Sequence, residues 1–417
     1  NLTQSGQMIR RERDFTGVTI DWKTIEDADT HFKAYDSIIK VFNDLIQFQR
    51  EYINPIIYQM NDDFAGMQGE ADNTTGTADL GINNVPFASK TFNLTRQLLF
   101  SLKAKNVAEE AIEELKQGRR PVIAVANTME GFMNELGAVG EKISNYDFST
   151  TLMRGLDGLF RFTETDGMGE RENQTLSVED LTDEGKERYY EIREFIRNMS
   201  SGISISPIDV IRDAIQKAGY KVGEMTGRTT ELVFNPDGTA SIQKRKNTDK
   251  KKLTRDFNNG KLDVLIMNQS ASTGISLHAS EKVKDQRQRI MLSAQTQLDV
   301  NTEVQMRGRI DRTGQVVRGA YRYVLSPIPA EQRLTMMFKV KLKSLDANTT
   351  SSQKSKTNEI EIVDFLNKYG DRIAVEHLKE DLELNEKLLD PMKFEGKSEA
   401  DIEAFSAPEG AALKIAG

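Results

Sequence analysis

A chain of 417 residues is long enough for two or three domains with separate cores, which excludes a peptide hormone or mini-protein. Hydrophobic residues make up 38% and charged residues 29%, and no apolar run approaches the ~20 residues that a membrane-spanning helix needs, so a soluble protein without a membrane partner is expected. With no cysteine and three histidines (His31, His278, His377), disulfide frameworks, thiolate metal sites and cysteine nucleophiles are excluded, and no metal site is expected. The net charge of −8 is unevenly spread. Lys244 to Arg255 hold seven cations against Asp249, whereas Thr357 to Phe405 hold fourteen acids against six cations, a balance that repels phosphate.

The opening, NLTQSGQMIRRERDF, has neither an initiator Met nor an apolar signal core and is expected to be cut from a longer precursor. Residues 1–27 read as an extended, charged entry segment with RRERD and the short β-like run Val18-Thr19-Ile20. From Ala28 apolar residues recur at helical spacing (Phe32, Tyr35, Ile38, Ile39, Phe42, Leu45, Ile46), which predicts a helix stopping near Asn54-Pro55. Residues 61–90, rich in Gly, Asp, Asn and Thr, predict a mobile loop, and helix returns at about 93–117 before Gly118.

Strand and helix then alternate. Pro121 to Ala126 is a continuous apolar run, the pattern of a parallel strand buried on both faces, and a helix is expected from about Met129. Residues 145–190 read as an insertion. Ser206-Pro207 opens a helix in cap-then-Pro order and Gly219 ends it. A strand near 220–225, the basic run, a helix ended by Asn258-Asn259-Gly260, strands at 264–267 and 289–292, a helix around 301–312 and a strand from Ala320 to Leu325 follow. The predicted fold class is α/β, a doubly wound parallel sheet over about 119–326 with helical insertions and a helical, acidic C-terminal tail from 327, broken by a linker near 348–357. In such sheets ligands bind beyond the carboxyl ends of strands, where the loop after Met267 begins.

Two segments carry chemistry. Asn268 to His278 (NQSASTGISLH) follows a buried strand with small hydroxyl residues and a glycine, so its backbone N–H groups can approach a phosphate. Gln305 to Gln315 (QMRGRIDRTGQ) sets Arg309 and Arg312 three apart on the predicted helix, where guanidinium forks suit the charge on a transferred phosphoryl group.

The string QxxGRxxRxGQ, one strand after a STGISLHA turn, resembles motifs VI and V of superfamily 2 helicases and translocases. The wording looks most like the strawberry-notch-type, Swi/Snf-related branch of phages and mobile elements. GRRPVIAVANTME (118–130) resembles motif IV, Thr226-Gly227-Arg228 a turn before motif V, Lys341 to Leu345 a segment after motif VI, and Ser5 to Gly17 the crossing between lobes. The resemblance implies a RecA-like second lobe at 119–326, with 1–27 the end of the first lobe, 28–118 a helical insertion and 327–417 an extension. It implies that Arg309 and Arg312 reach the γ-phosphate of ATP, Arg312 as the arginine finger, and that Gln305, Gly308 and Gln315 shape the ATP site and lobe interface. Ser272, Thr273 and Gly274 contact nucleic acid in this reading. Lys250, Lys251 and Lys252 either track phosphates or form a solvated insertion.

A P-loop and a magnesium-binding acidic motif are missing from the sequence. Gly396-Lys397-Ser398 has Pro391 where the first glycine belongs, and Asp183-Glu184 follows no buried strand. The expected function is therefore half of an ATP- and Mg²⁺-dependent helicase or translocase. Its partners are DNA (RNA remaining open) and a first lobe supplied upstream or in trans, and whether the chain is an enzyme depends on that lobe. The alternative is an inactive structural or virion-packaged phage component with virion or antirestriction partners. The corresponding locations are the bacterial cytoplasm and the phage virion interior. Plainer readings stand beside these: Arg309 and Arg312 in an ion-pair ladder with Glu303 and Asp311, His278 as a turn residue, and Trp22, Phe32, Tyr35 and Phe42 as core.

Overall fold

The computed structural model describes residues 18–26, 28–68, 81–84, 86–128, 130–131, 137–165, 171–199, 202–246, 249–269 and 274–349, with 369, 372–373 and 376–377. The chain divides into two compact units, Asn1–Glu331 and Gln332–Gly417.

The apolar runs at β3 (Arg120–Ala124), β10 (Val264–Met267) and β11 (Arg289–Ser293) are buried at every position. They form the middle of a six-stranded, all-parallel sheet whose order is β1-β12-β11-β3-β10-β7, with β7 at Val222–Met225 and β12 at Ala320–Leu325. Helices α3 (Ala88–Lys116) and α6 (Pro207–Lys217) pack together on one face. Helices α7 (Lys250–Asn258) and α8 (Val300–Arg307) cover the other, where Leu253, Phe257 and Met306 join Val122, Leu265, Met291 and Tyr321 in one core. This is the α/β layering expected of a RecA-like lobe.

The sheet takes in a strand from outside the stretch where it was expected. β1 (Thr19–Thr24) pairs in parallel with β12 along all six residues, from Thr19↔Ala320 to Thr24↔Leu325. Its alternation is legible in retrospect: Ile20 packs against the α7/α8-side core, whereas Asp21 and Lys23 reach Arg322 at 2.8 Å and Glu110 at 2.6 Å on the α3 side.

Other boundaries moved as well. The helix expected to stop at Asn54-Pro55 instead passes from α1 (Ala28–Phe48) through one π-turn (Gln49–Ile53) into α2 (Asn54–Gln68). Pro55 lies in the first turn of α2, where the missing N–H costs nothing, and the buried Gln49 side chain accepts a bond of 2.7 Å from the Phe87 amide. Within the expected 61–90 loop, α2 continues to Gln68 and β2 (Gly81–Asn84) pairs with β5 (Arg161–Thr165), which pairs with β6 (Arg171–Thr175). The 145–190 insertion carries α4 (Phe148–Gly158) and leads into α5 (Asp183–Asn198), which packs on α1 through Phe48, Phe160 and Tyr189 and an Arg188–Asp44 ion pair of 2.8 Å. Of the helix expected from Met129, 132–136 lie outside the described residues.

The Ser206 hydroxyl does not cap α6. It donates instead to Asp209 at 2.6 Å, a fully buried carboxylate that also accepts two bonds from Arg228 and one from the Leu232 amide. Between β7 and α7 the chain forms a hairpin, β8 (Thr230–Phe234) and β9 (Ala240–Lys244), joined by β4 (Lys142–Ile143). The helix α9 (Pro329–Thr349) begins in the first unit and continues in the second. The linker expected near 348–357 and nearly all of the acidic tail lie outside the described residues.

Candidate functional site

After β10 the chain enters the hydroxyl-rich segment. Ser272 and Thr273 lie outside the described residues, and Gly274 is the first residue placed after them. Its φ of +76° lies in the left-handed region, and no heavy atom stands within 4 Å of where a Cβ would be, so backbone conformation and not crowding calls for glycine. Ile275 and Leu277 then turn into the core beneath α7 and α8. The Leu277 carbonyl accepts from Arg289 at 3.0 Å and the Ser276 carbonyl from Asn258 at 2.9 Å, so the segment runs back along this face toward the amino ends of the strands.

The arginine motif meets it there. Asp299 caps α8 by accepting from Asn301 and Thr302, but the helix ends at Arg307, with Gly308 as C-cap, instead of reaching 312. Arg309 and Arg312 thus sit on a turn and not on one helical face. Two demands end the helix: Ile310 is drawn into the core, and Asp311 accepts from the Gly319 amide at 3.0 Å, pulling the chain toward β12. Both arginines consequently lie on the α7/α8 face and not in the crevice beyond the carboxyl ends.

The two segments are latched by main-chain groups. Leu277 N–H donates to the Arg309 carbonyl at 2.8 Å, Val316 N–H to the Ala279 carbonyl at 2.7 Å, and Ser280 bridges Gln315. The Arg309 side chain adds a bond of 3.2 Å to the Ile275 carbonyl. Arg312 is held by its own turn: its Nε donates to the Gly308 carbonyl at 2.8 Å and its amide to Gln315 Oε1 at 2.8 Å, while Gln315 Nε2 donates to Asp311 at 2.9 Å. Gln315 therefore braces the turn from within. Gln305 is exposed on α8, among the expected interface residues but away from this bracing.

The electrostatics leave a deficit of negative charge. Arg309 is depressed below the usual guanidinium range, first by burial and then by Arg312, and its buried Nε has no hydrogen-bond partner among the described residues. An anion between the two side chains answers both. The ion-pair ladder does not form: Glu303 accepts from Arg307 at 3.2 Å, and Asp311 pairs with Arg318 at 3.4 Å. His278 shares a 2.7 Å hydrogen bond with Ser276, and burial, then Arg312 and Arg289, hold its pKa below the ordinary imidazole value.

Of the basic run, Arg245 is drawn inward to Glu224 at 2.9 Å. Lys244, Lys246, Lys250, Lys251, Lys252 and Arg255 are all exposed, with Lys250 to Lys252 in the first turn of α7 behind the Asp249 cap.

Sequence reasoning missed the support. Arg307, inside the motif but assigned no role, donates to the Tyr323 hydroxyl at 2.9 Å, and Tyr323 also bonds Glu303. Asp263, likewise unassigned, accepts from Arg120 at 2.7 Å and the Lys221 amide at 2.8 Å, tying the starts of three strands. Charged residues immediately flanking apolar runs were the available signal.

Residues 208–408 match the family model described as the C-terminal domain on Strawberry notch homologue. Among similar proteins, Protein strawberry notch homolog 1 of Gallus gallus is 26% identical over 206 residues, covering 47% of this chain and 16% of that protein. Protein strawberry notch of Drosophila melanogaster is 30% identical over 156 residues (36% and 9%), and Protein FORGETTER 1 of Arabidopsis thaliana 28% over 178 residues (40% and 13%). The chain spans under a fifth of the length of each of these relatives. A solved structure, the C-terminal part of the Fun30 ATPase domain, aligns with a TM-score of 0.33 and 12% identity over 77% of this chain and 88% of that one.

Proposed function

We propose that the chain, whose residues 208–408 match the model of the C-terminal helicase domain of strawberry notch type, is the second lobe of a nucleic-acid-dependent ATPase. The observation that carries the proposal is the arginine turn: two guanidinium groups, one with an unmet buried N–H, set beside each other without a carboxylate between them. Such a pair suits the equatorial oxygens of a γ-phosphoryl group at the moment water attacks, because charge spreads onto those oxygens. Arg312 acts as the finger, and Arg309, fixed to Ile275, links it to the segment that follows β10. Gly274, with Ser272 and Thr273 before it, contacts the nucleic-acid backbone, and Lys250 to Lys252 add phosphate contacts. Closure on ATP thereby moves the strand-contacting segment with the arginine turn.

No group of three or more His, Asp or Glu side chains able to hold a metal ion occurs among the described residues. The proposal therefore leaves Mg²⁺, which neutralises charge on the β- and γ-oxygens when bound, with the P-loop lobe, and routes no step through this chain's carboxylates. The Swi/Snf-related, phage or mobile-element placement, and with it a bacterial location, rests on the wording of STGISLHA and GRIDRTGQ.

In a protein carrying both lobes, Arg312→Ala lowers DNA-stimulated ATP turnover by about 10³-fold or more, with nucleotide binding and the thermal midpoint nearly unchanged. Retained turnover overturns the assignment. Complete absence of nucleotide turnover in the wild-type two-lobe protein, with assembly insensitive to salt, replaces it with the structural role.

A further inference from the structure

The arginine turn is held from the core side by a relay that reaches the first described strand. Trp22, on β1, lies flat on Tyr323 with ring centroids 3.9 Å apart and planes 9° from parallel. The fully buried Tyr323 hydroxyl accepts from Arg307 at 2.9 Å and also bonds Glu303, so the last residue of α8 is gripped from both sides. The Arg307 carbonyl in turn accepts from the Tyr321 hydroxyl at 2.9 Å, and its guanidinium stands 5.3 Å from the Tyr323 ring. Two residues later comes Arg309. β1 itself cannot shift freely, because it is paired along its whole length with β12 and pinned on the opposite face by Asp21–Arg322 and Lys23–Glu110.

We infer that Trp22 is a positioning residue for the arginine turn: by stacking on Tyr323 it fixes the hydroxyl that holds Arg307, and so sets where Arg309 and Arg312 point. Packing alone does not account for the arrangement. A side chain that only covered the sheet edge could be aliphatic, whereas this one lies parallel to a ring whose single polar atom is committed to the base of the turn. The functional weight of the relay rests on the ATPase reading, in which residues 5–17 are the crossing between lobes. β1 follows that crossing within two residues in the chain, and the stacked pair joins β1 to the base of the arginine turn.

Hydrogen exchange without nucleotide tests the relay independently of that reading. In Trp22→Leu, which keeps bulk and removes the stack, peptides covering 308–316 and 275–280 exchange at least about five-fold faster, the factor that ~1 kcal/mol of lost local stability gives. Trp22→Phe restores protection, and peptides of β3 and β10 stay protected throughout. Tyr323→Phe, which keeps the stacked ring but removes the hydroxyl, gives the same acceleration at 308–316. Because Trp22 is the sole tryptophan, its emission shows directly whether the stack is intact in that variant. If Trp22→Leu loosens 19–24 and 320–325 but leaves 308–316 unchanged, Trp22 only packs the edge and the inference is overturned. Should Trp22→Leu fail to fold, Tyr323→Phe decides: unchanged exchange at 308–316 overturns the relay, and acceleration with unaltered emission sustains it. A relay that passes this test while Arg312→Ala retains turnover leaves the positioning intact and removes the ATPase reading alone.

Discussion

At the scale of single residues, charge in the first unit is placed against burial with unusual frequency, and the consequences are measurable. His278 is held below the ordinary imidazole value of 6.5 by burial and by the cations Arg312 and Arg289, with Asp311 opposing them. The unfolded chain therefore takes up a proton first as the pH falls. Stability from neutral His278 is present in full above about pH 6.5 and is lost as the pH drops through the folded value. His278→Asn should flatten the thermal midpoint against pH below about 6.5, measured beside the wild type. A slope identical in both places the titration elsewhere. The same sensitivity to surroundings explains why Arg307, Arg309 and Arg312, equivalent as letters, differ in the fold. Arg307 is enclosed by Tyr323 and Glu303. Among the described residues the side chains of Arg309 and Arg312 donate to carbonyls, and the two arginines repel each other. Spacing identified the motif; which arginine is structural depends on a tyrosine sixteen positions away.

Among elements, α7 shows a conflict between local stability and surface charge. Lys250, Lys251 and Lys252 stand at the positive end of the helix dipole, where cations are unfavourable, and Asp249 caps that end. Lys251→Glu with Lys252→Glu should raise stability by about 0.5 kcal/mol while lowering nucleic-acid affinity. The slope of log affinity against log salt should fall by about two if both lysines meet phosphates. Stability and slope moving in opposite directions mark lysines kept for binding, and an unchanged slope marks a solvated surface. The strands show how far the sequence was legible. Those buried on both faces announce themselves by unbroken apolar runs, at 121–124, 264–267 and 290–292. β1 showed only as the short β-like run Val18-Thr19-Ile20, because four of its six residues are charged or polar and its apolar positions acquire meaning only beside β12. The helix predicted to 312 ended five residues early for the same reason, since Gly308 permits the break but Ile310 and Asp311 compel it through contacts that no local pattern encodes.

Across the whole molecule, the pairing of β1 with β12 closes the sheet between residues 301 positions apart in the chain. Removing residues 1–26 should leave β12 as an open parallel edge with Tyr323 uncovered on one side. We expect a lower thermal midpoint and concentration-dependent association, checked by calorimetry and light scattering. A monomer of unaltered midpoint means that β1 adds nothing to the sheet. Synthesis meets the same geometry in time. β1 leaves the ribosome roughly 15 to 60 s before its partner β12, at about 5–20 residues per second over the 301 positions between them. During that interval a strand bearing the sole tryptophan has no native edge to join. β1 can therefore be seated only once residue 325 has emerged, and until then the nascent chain depends on its being shielded.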